Sequence, residues 1–396
     1  MKIVGIKIYP ITMHFKQTIE ESFGTVGKNE GDVILQIFTD EGISGLGEST
    51  TLGPYYSGES QGSVVSLIQE FIAPKILIGE DPFNIDKIMY TIDRIAYRNN
   101  IAKTPIDFAL YDILGKKLGL PAYKLLGGSY TEKVALRWSF GMGNPDETAE
   151  KARVGAEAGY RCMKIKAGDD PDLDVERVAA VRKAVGDDIK LTIDANQAYD
   201  PKLAIRTIKR MDAYNILYVE QPVDRDDLEG MAFVRKNVDV PIGACECTNT
   251  LEEVMRVIKM EAADFLHFKV SRSGGFYRGK QIVHMGKAAG LFNVGSTQLG
   301  LGIELAANAH FAASNMVLGE PPYNEHGYGA GLMSLFKAAD TSEISEDIVK
   351  KTPTIKNGYL YVPQDPGLGI ELNEEIVEKM MTPGKEPVSV GDTYSE

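Results

Sequence analysis

Cysteine and histidine are scarce in this chain. Its three cysteines, Cys162, Cys245 and Cys247, offer no disulfide framework, and the odd count suits a reducing compartment. Cys245 and Cys247 stand as C-x-C, too short and too isolated for a zinc site. Excess positive charge is missing as well. Lys and Arg number 43 against 56 Asp and Glu, a net charge of −13, so there is no basic footprint for nucleic acid or an anionic membrane. No apolar run approaches a membrane span, and the opening MKIVGIKIYPI alternates like a strand without the apolar stretch of a signal peptide. These absences predict a cytoplasmic protein. If its substrate is a small anion, an acidic protein needs local positive charge, from a metal ion or from clustered lysines.

What is present is ordinary for a soluble globular chain: 396 residues, 43% hydrophobic and 25% charged, enough for two lobes or one large barrel with an addition. Early in the chain, VILQIFT (33–39) and ISGLGE (43–48) flank Asp40-Glu41-Gly42 and read as a hairpin. TLGPYYSGES then reads as a loop. Thr104-Pro105 reads as an N-cap and first helical position, with Asp107 a favourable charge in the first turn and Gly119 and Pro121 as the stop.

From about Val134 short apolar strands alternate with helical stretches. Strands are predicted near 134–140, 162–166, 190–194, 217–220, 242–246, 265–269, 292–296 and 316–320. Regular alternation implies parallel pairing with right-handed crossovers, and a closed β/α barrel is the simplest outcome. In such barrels sites form at the carboxyl ends of the strands. Here the second to sixth strands end in Lys166, Asp194, Glu220, Glu246 and Lys269. Three carboxylates at one mouth repel unless a cation neutralises them, and hard oxygen ligands favour Mg²⁺, with Mn²⁺ as a substitute. None of the five histidines falls at these tips, which disfavours zinc; His267 lies one layer below Lys269 and reads as a packed core histidine.

Residues 161–168, RCMKIKAG, place Lys164 and Lys166 on one strand face. Alone, this suggests a solvated edge strand. Beside a metal, the second ammonium is expected to lower the pKa of Lys166 and make it a base. Lys164 then stays charged. Lys269, four strands away, faces the substrate from the opposite side.

Taken together, TDEGISGLGE, IDFALYDILGKKLGLPAYKLLGG, KIK, DANQ, VEQP and FKVSRSGG resemble, in order and over nearly the whole chain, the mandelate racemase / muconate lactonizing enzyme group of the enolase superfamily. The resemblance implies a modified (β/α)7β TIM-type barrel with an α+β capping domain built from the N-terminal region and the C-terminal segment. The boundaries expected are 1–127 for the cap, 128–323 for the barrel and 324–396 for the returning segment. It also implies Mg²⁺, abstraction of a proton α to a carboxylate, a small-molecule carboxylate substrate and a homo-oligomer, from dimer to octamer. Residue by residue, Asp194 and Glu220 match metal ligands, Lys166 and Lys269 the acid/base pair, and Lys164 their cationic neighbour. On the fifth strand, ACEC puts Cys245 where one branch has aspartate and Glu246 where the other has glutamate. Glu246 is preferred, because a thiolate is a poor Mg²⁺ ligand. Tyr55 and Tyr56 of the capping loop, with Asn196 and Gln298, complete the candidate substrate-binding residues.

The resulting expectation is a racemase or epimerase of a small carboxylate, such as an N-substituted amino acid or proline derivative. Dehydration of a hydroxy acid or hydroxyproline and muconate-type cycloisomerisation keep the same first step. Leu299, where lactonizing relatives often carry glutamate, weakens the latter. A non-catalytic ligand-binding barrel is the alternative from another class, and the full set of lysines and acids argues against it.

Overall fold

The computed structural model describes residues 1–14, 19–22, 24–26, 29–315 and 347–393. It is a mixed α/β architecture, a curled parallel sheet flanked by helices with a separate N-terminal cap. In the cap, β1 (Ile3–His14), β4 (Asn29–Thr39) and β5 (Ser44–Thr50) form an antiparallel sheet, and the small hairpin of β2 (Ile19–Glu21) and β3 (Gly24–Val26) is separate from it. The predicted β4–β5 turn is present, with Gly42 at φ 74°, a conformation glycine adopts freely. Isoleucines of β1 and β4 pack on the helices Gln61–Ser66, Ile85–Ile95 and Asn100–Leu118 to make one apolar core.

The last of these helices corrects the sequence reading. It begins at Asn100, not at Thr104, and Pro105 lies inside it. Proline has no N–H to bond the carbonyl of Ile101. That carbonyl is taken instead by the hydroxyl of Ser49, at 2.6 Å, so a cap strand satisfies what the helix cannot. Asp107 is therefore not in a first turn. It is fully buried and accepts the N–H groups of Phe276 (2.5 Å) and Tyr277 (3.3 Å) at the start of the helix Gly275–Ala288. The TLGPYYSGES stretch is likewise partly helical, with a short turn Gly53–Ser57 and Ser60 capping Gln61–Ser66.

β6 (Lys133–Ala135) leads into the barrel strands β7 (Trp138–Phe140), β8 (Cys162–Lys166), β9 (Lys190–Asp194), β10 (Ile216–Glu220), β11 (Ile242–Ala244), β12 (Phe265–Lys269) and β13 (Phe292–Ser296). All seven from β7 onward pair in parallel, in chain order. Local sequence starts the intervening helices: Asn144, Asp170 and Asp200 accept N–H groups of the next turn, and Pro145, Pro171 and Pro201 occupy the first helical position. The eighth predicted strand, 316–320, lies outside the described residues. Near the end of the chain, β14 (Ile355–Lys356) and β15 (Tyr359–Tyr361) join β6, and β16 (Val388–Gly391) pairs with β1. No helix among the described residues is long and apolar enough to cross a membrane.

Candidate active site

Register brings the strand tips into line. Lys166 is paired with Asp194, and Asp194 with Glu220, so the ends of β8, β9 and β10 sit at one level. β8 lies between β7 and β9 and is buried throughout; Lys164 and Lys166 are only 5% and 7% exposed. A solvated edge strand is thereby excluded. Lys164 Nζ bridges Asp194 Oδ2 at 2.7 Å and Glu220 Oε2 at 2.8 Å. Lys166 Nζ contacts Asp194 Oδ2 (2.9 Å), Asn196 Oδ1 (2.8 Å) and Glu21 Oε2 (2.5 Å). Asn196 continues the chain of contacts, its Nδ2 donating to Glu246 Oε1 at 2.9 Å. The second carboxylate oxygen of Glu246 is buried and has no hydrogen-bond partner.

These contacts decide the charge states. Burial opposes the ammonium form of Lys166, but Asp194 and Glu21 outweigh it and hold its pKa above the ordinary lysine value; Lys164 is raised in the same way by Asp194 and Glu220. In this metal-free arrangement the nearby carboxylates outweigh the repulsion between the two lysines. The amine that is depressed is Lys269. Burial, then the Arg272 guanidinium, lower it to about 8, with the charges of Lys164 and Lys166 adding to the effect. Glu246 shifts the opposite way, raised by burial and by the neighbouring Asp194. A buried carboxylate that resists ionisation and carries an unpartnered oxygen, beside two more acids, suits a hard divalent cation.

The cap closes over this end of the sheet. Tyr56 is buried, its hydroxyl 2.6 Å from Lys269 Nζ and its ring 5.2 Å from the Arg272 guanidinium. Tyr55 is largely exposed, and its ring lies 5.5 Å from the Arg225 guanidinium. Of the four candidate substrate-binding residues, then, Tyr56 and Asn196 touch the lysines. Gln298 is fully buried and donates to Thr50 O at 2.8 Å, tying the barrel to the cap. Sequence reading missed Glu21, Arg137 and Arg272.

Arg137 belongs to a polar layer beneath the tips. Its Nη2 lies 2.7 Å from His267 Nε2, and a second nitrogen meets the Tyr218 hydroxyl. His267 is inaccessible to solvent, and its Nδ1 lies 3.0 Å from Glu220 Oε1. Burial lowers its pKa to about 3, so the ring is neutral. Among the described residues, Glu220, Cys245 and His267 are the one set of three whose ligand atoms all fall within 4.8 Å of one another. Asp194, Glu220 and Glu246 are more widely spaced.

Comparison with known proteins agrees with the geometry. Residues 4–127 match the mandelate racemase / muconate lactonizing enzyme N-terminal domain, and residues 147–376 the enolase C-terminal domain-like family. An N-succinyl-L-Arg/Lys racemase of Bacillus cereus is 31% identical over 386 residues, covering 96% of this chain and 98% of the relative. The crystal structure of a mandelate racemase/muconate lactonizing family protein from Azoarcus sp. EbN1 superposes with a TM-score of 0.88 at 36% identity, covering 98% and 100% of the two chains. A dipeptide epimerase from Enterococcus faecalis, crystallised with Mg and the dipeptide L-Leu-L-Tyr, gives a TM-score of 0.84 at 32% identity, covering 94% and 100%.

Proposed function

The chain belongs to the mandelate racemase / muconate lactonizing enzyme group of the enolase superfamily and is an isomerase, and from that premise we propose that it racemises or epimerises a small N-substituted amino acid or proline derivative. One observation carries the reading: two lysines, Lys166 buried on β8 and Lys269 half-buried on β12, stand four strands apart, with the acidic tips of the intervening strands between them. The Bacillus cereus relative, a racemase of N-succinylated amino acids, supports the substrate class.

Asp194, Glu220 and Glu246 would hold the divalent ion. When bound, such an ion supplies the positive charge that makes the carbon next to a substrate carboxylate acidic. The chain's own residues do the rest. Lys269, whose amine is the more easily neutral, takes the α-proton from one face. Lys166, held as an ammonium by Asp194 and Glu21, returns a proton to the other face. One proton is removed and one is delivered, so the product is the mirror configuration at that carbon, with the two lysines exchanged in protonation state. Tyr56 of the cap holds the Lys269 amine through its hydroxyl.

The test is incubation of N-succinyl amino acids and N-methylproline with Mg²⁺ in ²H₂O. The expected result is deuterium at the α-carbon together with inversion. Exchange confined to one epimer without inversion would sink racemisation. Loss of water would point to a dehydratase, and a lactone to cycloisomerisation.

A further inference from the structure

The polar layer below the site contains a set of donors that does not match a magnesium enzyme. Glu220, Cys245 and His267 offer oxygen, sulfur and nitrogen within 4.8 Å of one another, the mixture a soft or borderline cation prefers. Glu220 is at the same time one of the three acids assigned to the hard cation. Two incompatible sites thus share one carboxylate.

Arg137 resolves the conflict. A guanidinium has five N–H donors and no acceptor, so His267 Nε2, 2.7 Å from Arg137 Nη2, must present its lone pair. A neutral imidazole carries a single N–H, which is therefore on Nδ1. That nitrogen lies 3.0 Å from Glu220 Oε1, so its proton sits beside that carboxylate. A ring locked in this tautomer has no lone pair to give a metal at Nδ1. The other oxygen of Glu220 is turned to Lys164 at 2.8 Å, on the side of the strand tips. Arg137 is fixed in turn by the Tyr218 hydroxyl and is almost fully buried, so water cannot substitute for it.

We propose that Arg137 is a metal-selectivity residue: by holding His267 in the tautomer with its proton on Nδ1, it denies Glu220, Cys245 and His267 to a soft cation and leaves Glu220 to a hard one. The proposal rests on Glu220 being a ligand of the divalent ion. Arg137 and His267 are positioning residues, since neither touches substrate.

The experiment titrates metal-free protein with Mg²⁺ by calorimetry and with Co²⁺ by absorbance, with melting temperature as the check on folding. Wild type should bind Mg²⁺ and give no thiolate-to-cobalt charge-transfer band. R137M frees Nε2 to take the proton, exposes Nδ1, and should show the band; R137M combined with C245A should lose it. H267N keeps an N–H donor beside Glu220 and should bind Mg²⁺ close to wild type, whereas H267L should weaken it about 10–100-fold, the usual effect of losing a ligand's outer partner. A cysteine-dependent band in wild type, a folded R137M without one, or H267L with wild-type Mg²⁺ affinity would each overturn the proposal. If R137M does not fold, the two His267 variants decide. A wild-type chain that binds no Mg²⁺ removes the metal reading and this proposal together, whereas unaltered Mg²⁺ binding by H267L removes this proposal alone.

Discussion

Lys269 Nζ lies 2.6 Å from the Tyr56 hydroxyl and 4.7 Å from the centre of the same ring, so a cap residue partly covers an amine that the barrel supplies. Half-buried and faced by Arg272, Lys269 is depressed to about 8. A base acts in its neutral form, and the neutral fraction of an amine grows as pH rises through its pKa. The rate of α-proton exchange initiated by Lys269 should therefore climb with pH and level off above about 8. Replacing Arg272 with Met removes a depressing charge and should move the profile to higher pH; an unmoved profile would count against this electrostatic account.

The two lysines should be separable by substrate configuration. K269A should abolish exchange from the epimer it deprotonates, by about 10²–10⁴-fold, while the opposite epimer still exchanges through Lys166. K166A should show the reverse. NMR of each epimer in ²H₂O reads both outcomes, and loss of exchange from both epimers in either variant would contradict a two-base arrangement.

Glu246 and Cys245 compete for one role on β11's outgoing turn. Only Glu246 offers a hard oxygen that is buried and without a hydrogen-bond partner. Calorimetry with Mg²⁺ should therefore find E246Q weakened at least about 100-fold, the upper end of what outer partners of a metal achieve. C245S should bind almost unchanged. The opposite ranking would transfer the ligand to Cys245.

Close packing of cap on helix can be tested at Gly47. A Cβ there would sit 1.8 Å from the carbonyl oxygen of Pro105, and one at Gly45 2.1 Å from that of Ala109. Backbone cannot step aside as a side chain can. G47A should lose about 3 kcal/mol or more in urea unfolding, the upper range for overpacking.

Asp32 and Glu48 are both fully buried, with Glu304 nearby. Burial, with Glu304 adding to it, raises Asp32 from 3.8 to about 7. A carboxyl raised by folding binds its proton more tightly in the native state, so stability is lost as pH rises from about 4 toward 7. D32N should flatten this slope. Urea unfolding at pH 5 and pH 8 measures it, and equal slopes in the two proteins would exclude Asp32 as the source.

Much of this arrangement could be read from the sequence where the information is local. KIK, DANQ and VEQP end apolar strands in charge, and a strand's alternation alone puts Lys164 and Lys166 on one face. Asp170-Pro171 and Asp200-Pro201 announce their helices by the same short-range chemistry. Thr104-Pro105 carries a similar signal and misleads, because Ser49, more than fifty residues earlier, satisfies the carbonyl that proline leaves open. Glu21 and Arg137 meet partners 145 and 130 residues away, and no local spacing encodes such meetings. One clue existed: in ALRWSF an arginine stands in a mostly apolar stretch, and a buried cation needs an acceptor. For Lys166 the lysine neighbour is visible in the sequence and the Glu21 partner is not.

β16 completes the cap sheet by lying along β1, Ile6 opposite Val390 and Ile8 opposite Val388. During synthesis β1 thus leaves the ribosome and waits for β16, with the seven parallel barrel strands made in between. Until then its outer rim is an open template for other chains. The cap, begun before the barrel strands, is therefore finished after them, and chaperone demand should fall on the nascent cap, with the barrel already able to collapse behind it.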